Sequence, residues 1–230
     1  MVRFERRPQL FSEPPDRISA LAQYERHAET YDRETDWVAS DRARVVDLLD
    51  LRPGETVIDV GCGTGLCFPM LVAAVGPHGR VVGIEQSLDM LGRAKERVDD
   101  SKFENVDLVL GSIEEVDIPV VADAALFSFT HDVLRSEAAV KHVLAHLRPG
   151  GRVAAVGPMW APWWAPGMNL LIWYVTSDFV TTFEGFSEPW SHLARLVPGL
   201  SVERQELLGR YFAWGSLPDE EGTEAPGSKR

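Results

Sequence analysis

The nine residues Val57-Ile58-Asp59-Val60-Gly61-Cys62-Gly63-Thr64-Gly65 constrain this chain more than any other stretch. A short run rich in β-branched residues, Thr56 to Val60, reads as a strand and ends in three glycines spaced by one residue. A longer apolar stretch, Leu66 to Val75, then stops at the breaker pair Gly76-Pro77. This is a strand, a glycine turn and a helix, and the alternation continues. Arg80-Val81-Val82-Gly83-Ile84 reads as a second strand. From Ser87, an N-cap residue type, Leu88, Leu91, Ala94, Lys95 and Val98 recur at helical spacing. Val106–Leu110 and Ala124–Phe129 read as further strands, Glu137–Leu147 as a helix and Arg152–Val156 as the next strand. Such repetition predicts an α/β fold, a parallel sheet with helices on both faces.

Two regions flank that core. Residues 16–51 read as two helices, Ile18–His27 and Val38–Leu51, forming a cap. Past the fifth strand, Met159–Trp190 holds nine of the chain's 21 aromatic residues and five of its seven tryptophans, with Asp178, Glu184 and Glu188 as its only charges. That composition suits an apolar lid. A helix over Ser191–Leu196 leads to Val202–Leu208 and Arg210–Trp214, which pair as an antiparallel hairpin at one sheet edge. The expected organisation is a single domain over 1–217, with the cap at 16–51, the core at 52–158, the aromatic lid at 159–190 and the last helix and strands at 191–217. Residues 218–230, turn formers and charge, are expected to be a disordered tail.

Composition removes several classes of partner. The 23 Lys and Arg face 35 Asp and Glu, a net charge of −12 spread along the chain, which opposes gripping a phosphate polymer and so excludes nucleic acid as a partner. No apolar run approaches the ~20 residues of a membrane span. Met1 to Pro8 carries basic residues without an apolar core behind them, unlike a secretory signal. Two cysteines, Cys62 and Cys67, make no disulfide framework. The expected location is the cytoplasm.

The glycine loop itself narrows the ligand. A dinucleotide fingerprint would need glycine at 66 or, restarting from Gly63, at 68; these are Leu66 and Phe68. The chain has no Gly-Lys pair, so the loop is not a P-loop. Asp59, two residues before the first glycine, would repel a phosphate and suits a cationic amino group. Glu85 ends the second strand, where an acid can accept from both hydroxyls of a ribose. Asp59, the glycines and Glu85 together describe a site for a nucleoside that carries an amino acid. S-adenosylmethionine fits, and so does its product, S-adenosylhomocysteine.

On these residues the chain resembles the class I S-adenosylmethionine-dependent methyltransferases. Val57–Gly65 looks like their first motif and Gly83–Leu91 like their second. Gly111-Ser112-Ile113-Glu114-Glu115-Val116 resembles the adenine-side segment, and Leu147-Arg148-Pro149-Gly150-Gly151-Arg152 the turn into strand five. The likeness covers roughly residues 20–158 in the family's order. It is closest to the small-molecule branch that includes quinone and natural-product enzymes. The resemblance implies a Rossmann-like, doubly wound, mostly parallel seven-stranded sheet with an antiparallel last strand. It also implies cofactor contacts from Tyr31, Asp59, Gly61, Cys62, Gly63, Gly65, Glu85, Gln86, Met90, Ser112, Ile113 and Ser128. Two places depart from the pattern. Ser112 stands where an acid often accepts from the adenine amino group. After strand four, in Phe127-Ser128-Phe129-Thr130-His131-Asp132, either His131 or Asp132 takes the place nearest the transferred methyl.

Methyl transfer from a sulfonium is an in-line displacement in which much of the acceleration is positioning, and it demands no metal. The catalytic candidates are His131, Asp132 and Tyr31. His131 is the leading general base for a phenol, acidic carbon or ammonium acceptor, or else it caps the loop. Tyr31 either closes over the methionine end of the cofactor or packs as a helix-cap aromatic. His142 and His146, at i, i+4, lack a third ligand with suitable spacing and read as surface residues. In the lid, Trp160, Trp164 and Trp173 are the chosen pocket residues, joined as candidates by Trp163, Met168, Tyr174, Phe179 and Phe183. They suit a flat aromatic or apolar small-molecule acceptor of quinone or secondary-metabolite type. A helix over Met168–Phe183 could instead pack its apolar face on the sheet or on a second subunit, which leaves a homodimer open. Competing functions are a protein methyltransferase and a relative that binds the cofactor without methylating.

Overall fold

Seven strands, β1 (Thr56–Val60), β2 (Arg80–Glu85), β3 (Val106–Leu110), β4 (Ala122–Ser128), β5 (Leu147–Pro158), β6 (Ser201–Gln205) and β7 (Arg210–Ser216), form one sheet in the order β3-β2-β1-β4-β5-β7-β6. The computed structural model describes residues 31–177 and 179–219; the helix expected over Ile18–His27 lies outside them. The pairs β1–β2, β2–β3, β1–β4 and β4–β5 are parallel, and β7 runs antiparallel to both of its neighbours, β5 and β6. The chain therefore moves outward from β1 to β3, then returns to lay β4 on the other side of β1. That reversal opens a crevice at the C-terminal ends of β1 and β4, where ligands bind in open α/β sheets.

The alternation of side chains explains the two-sided core. Ile58, Val60, Val82, Ile84, Ala125 and Phe127 pack on one face, against Val140, Val143 and Leu144 of a helix α6 (Glu137–Ala145). Val57, Val81, Ala124 and Leu126 point the other way, onto α2 (Ala39–Leu48) and α3 (Phe68–Val75). Asp59 shares that second face because it lies two residues from Val57. The remaining helices are α1 (Tyr31–Glu34), α4 (Leu88–Ser101), α5 (His131–Leu134), α7 (Pro166–Thr176) and α8 (Ser191–Leu196). Ser87 caps α4 by accepting from the Met90 N–H at 3.4 Å.

Several boundaries moved for physical reasons. The helix after the glycine loop starts at Phe68 rather than Leu66, because residues through Cys67 complete the turn. Strand β5 runs well past Arg152–Val156: Leu147 pairs with Ala122 at one end, and Pro158 pairs with Arg210 at the other. The expected antiparallel hairpin does form at the sheet edge, with β7 next to β5 and β6 outermost. The lid helix is Pro166–Thr176, shorter than its run of apolar residues. Gly150 donates to the Pro218 carbonyl at 3.1 Å, so the first residue of the expected tail is held against the sheet.

Candidate active site

The glycine loop takes its shape from backbone only glycine adopts easily: Gly61, Gly63 and Gly65 all have positive φ, at 65°, 57° and 77°. At Gly65 a side chain is excluded twice, since an added Cβ would also lie 2.5 Å from the Phe68 ring. Gly63 differs. A Cβ there would meet nothing within 4 Å, so its backbone faces open space. The Cys62 N–H donates to the Ile84 carbonyl at 3.0 Å, which ties the loop to the end of β2. Glu85, 6% exposed, completes the tie: it accepts from the Gly63 N–H at 3.0 Å and the Ser87 N–H at 2.8 Å. Its burial raises the carboxyl above the usual range while those N–H groups pull it back.

Beside it stands Asp59, 1% exposed, whose two carboxylate oxygens meet no hydrogen-bond donor among the described residues. Burial first, and then the charge of Glu85, push Asp59 up to about 7, against the pull of Arg42. The Ser128 and Thr130 hydroxyls, at the end of β4, are likewise buried without partners. Buried polar groups are normally satisfied. Their concentration at the ends of β1 and β4, beside the open backbone of Gly63, makes this the candidate binding site. A ligand with a cationic amino-acid group meets the needs of Asp59, whereas a phosphate would add charge to two acids already crowded.

Arg42 is a site residue missed in the sequence. It is 5% exposed, donates to the Thr35 carbonyl at 2.9 Å and lies 5.5 Å from the Phe129 ring centroid. The available signal was its place in the stripe Arg42, Val45, Val46 and Leu49, at i, i+3, i+4, i+7, whose apolar members all belong to the core. An arginine there is a buried cation, and its charge acts on the buried Asp59. Tyr31 reaches the same group: Arg42 lowers and Glu85 raises its hydroxyl, with burial the dominant, raising influence. The Tyr31 ring meets Phe179 edge-on at 5.8 Å. The neighbouring Asp32 accepts from the Thr64 hydroxyl at 2.5 Å and pairs with Arg97, which also donates to the Thr64 carbonyl at 2.9 Å.

The segment after β4 turns toward the lid. Phe129 has a φ of 58°, and its N–H donates to the Val156 carbonyl at 2.8 Å. His131 is 4% exposed and packs edge-on against Phe186 at 4.6 Å. Burial, reinforced by Arg135, lowers its pKa to about 3, so the ring is neutral at physiological pH. Asp132 accepts from the Thr181 hydroxyl at 2.7 Å and from its N–H at 3.2 Å. Both residues thus engage the insert.

The remaining candidates divide. Gln86 is half-buried directly after Glu85, Met90 is buried under the first turn of α4, and Ser112 and Ile113 are buried in the turn after β3. The Cys62 and Cys67 thiols are unpaired and pushed up, first by burial and then by Asp59, so both stay protonated. Trp160 stacks on Phe183 at 5.3 Å and tilts against Phe186 at 5.0 Å, which links it to His131. Trp173 is half-buried on α7, while Trp164 and Trp163 are 60% and 89% exposed and stand in solvent. His142 and His146 each contact a backbone carbonyl, and the described residues contain no His, Cys, Asp and Glu cluster that could hold a metal. Nor is any helix among them long and apolar enough to cross a membrane.

Comparison with known proteins finds matches over the same core. Residues 57–151 match the family described as "Methyltransferase domain". An uncharacterised 37.1 kDa protein in transposon TN4556 of Streptomyces fradiae is 35% identical over 150 residues, 64% of this chain; the chain spans 40% of that protein's length. The demethylmenaquinone methyltransferase of Listeria welshimeri is 28% identical over 167 residues, covering 70% of this chain and 71% of that one. Among solved structures, an S-adenosylmethionine-dependent methyltransferase described as putative, from Methanococcus maripaludis, superposes with a TM-score of 0.63 at 14% identity, over 93% of this chain and all of that one. The sheet order and the matched residues 57–151 are those of a methyltransferase domain similar to S-adenosylmethionine-dependent methyltransferases.

Proposed function

We propose that this protein transfers the methyl group of S-adenosylmethionine to a small, flat, largely apolar acceptor of quinone or secondary-metabolite type. The observation that carries the reading is the buried Asp59 carboxylate, with both oxygens unpartnered, next to the open backbone of Gly63 and the locked Glu85. S-adenosylmethionine supplies an electrophilic methyl on a sulfonium. Asp59 binds the cationic amino end, and Arg42 offers the complementary cation for a carboxylate in the same place. Glu85, pinned by two N–H groups, accepts from the ribose hydroxyls. Ser112 and Ile113 border the adenine side, with Gln86 and Met90 along the wall between. Tyr31 covers the methionine end and excludes water.

Transfer in this reading rests on alignment. A histidine whose pKa is lowered to about 3 is a poor base for a phenol, so His131 acts as a neutral wall that carries Phe186 and, through it, Trp160. Asp132 holds the lid by its grip on Thr181. The aromatic cluster of Trp160, Phe183 and Phe186 favours a planar acceptor. The relative that acts on demethylmenaquinone supports the same class.

The test has two stages. Calorimetric titration should show one site for S-adenosylmethionine and for S-adenosylhomocysteine, lost in Glu85→Ala. Incubation with methyl-labelled S-adenosylmethionine and a panel of hydroxylated quinones and aromatic polyketides should then move label into the organic fraction. Binding without label transfer to any acceptor would favour a non-methylating cofactor binder; no binding would sink both readings.

A further inference from the structure

One cluster lies outside the groups that receive the cofactor and still ties together three of the parts around it. Asp32 follows Tyr31 directly. One of its carboxylate oxygens accepts from the Thr64 hydroxyl at 2.5 Å, and the other pairs with the Arg97 guanidinium. Arg97 closes the triangle by donating from Nε to the Thr64 carbonyl at 2.9 Å. Three distant parts of the chain meet here: the α1 segment, the glycine loop and α4. Thr64 is 2% exposed, whereas the Arg97 and Asp32 side chains are 26% and 47% exposed, so the pair lies at the rim of the site.

We propose that Asp32, Thr64 and Arg97 form a latch that positions Tyr31 over the cofactor and sets the rate at which cofactor and product leave. The proposal rests on the strand-end site being the cofactor site. Its physical content is simple. Tyr31 lies close enough to Arg42 and Glu85 to feel both charges, and α1 is a single turn of four residues, too short to hold its place without contacts to other parts of the chain. Contacts on either side of the tyrosine supply that hold: Arg42 on the Thr35 carbonyl, and the latch on Asp32. For a ligand beneath Tyr31 to escape, α1 must lift, and lifting it breaks the Asp32 contacts. A partly exposed ion pair contributes little at equilibrium, yet it can control an opening step and will be weakened by salt. The three are positioning residues, since none is required to touch the reacting atoms.

The experiment measures release of labelled S-adenosylhomocysteine from the full-length protein after a chase with unlabelled compound. Asp32→Asn and Thr64→Val should each speed release by about tenfold, the scale of losing one charge-assisted hydrogen bond. Thr64→Val removes only the hydroxyl and keeps both charges, which guards against a misfolded Asp32 variant. Wild-type release should accelerate between 50 mM and 500 mM NaCl, and Asp32→Asn should lose that dependence. The Asp32→Asn and Arg97→Gln double variant should release no faster than the quicker single one, because one latch is broken either way. Lys95→Gln on the same helix, whose exposed pair with Asp99 does not touch α1, serves as the control with unchanged release. In turnover, KM for the cofactor should rise without a matching fall in kcat. Unchanged release in Asp32→Asn and Thr64→Val, or fully additive effects in the double variant, would overturn the latch. Failure of wild-type protein to retain the labelled compound at all would instead overturn the cofactor reading.

Discussion

Asp59→Asn should make the free protein more stable in mildly alkaline solution while disabling its site. The folded chain holds a proton on Asp59 until about pH 7, against a reference value of 3.8, and the unfolded chain releases that proton near pH 4. Between those limits ionisation favours the unfolded state, so the wild-type penalty grows as pH rises and levels off above the folded pKa. At about 1.36 kcal/mol per unit, the penalty reaches about 4 kcal/mol at pH 8 and about 2 kcal/mol at pH 5, both upper bounds. Asparagine keeps the volume and cannot ionise. It carries its own unsatisfied polar atoms, but that cost does not change with pH. Urea unfolding of both proteins at pH 5 and pH 8 isolates the titrating part: the advantage of the variant should grow by about 2 kcal/mol across the interval. The same variant should bind S-adenosylmethionine at least tenfold more weakly. In the wild type at pH 6, binding should release up to about one proton, detectable as a dependence of the titration heat on the buffer. A stability difference that is flat with pH would show that Asp59 is ionised in the free protein and that its isolation is not what tunes the site.

Other predictions are more local. Glu85→Gln keeps the shape but weakens the anchors to Gly63 and Ser87, and should lower cofactor affinity by about a hundredfold in titration, with a smaller change in melting temperature. Gly65→Ala should destabilise the fold by about 2–3 kcal/mol in urea unfolding because Phe68 cannot yield, whereas Gly63→Ala, with open space around it, should lose cofactor binding with only about 1 kcal/mol of stability. His131→Gln should leave the pH profile of kcat/KM without any change of inflection between pH 5.5 and 8.5, since the ring is already neutral there; an inflection near 6.5 that vanishes in the variant would restore a base role. Arg210→Met should destabilise by about 3–5 kcal/mol, because it leaves the buried Asp41 without the guanidinium that now sits 2.6 Å away.

What was legible in the sequence was whatever local chemistry dictates. Strand β1 could be read to the residue because a β-branched run that ends in glycines has one local solution. The same holds for Glu85, whose place at the end of β2 follows from counting along a short strand. Glycine spacing excluded a dinucleotide because it depends on positions 61 to 68 alone. Boundaries failed where a neighbouring strand, and not the local residues, decides the length, as in β5 with β7 along one side.

The sequence by itself determined the alternation, the glycine loop and the two acids that face it, because period, turn chemistry and charge are properties of adjacent residues. Only the tertiary structure decided which groups meet those acids. Arg42 brings its charge near Asp59 from an apolar stripe on α2, and Asp32 reaches Arg97 across 65 residues. Asp132, offered together with His131 as the residue nearest the methyl, accepts from Thr181 across 49 residues. Each of these contacts compensates a buried or half-buried charge, and the partner that does so is chosen by packing in three dimensions rather than by separation along the chain.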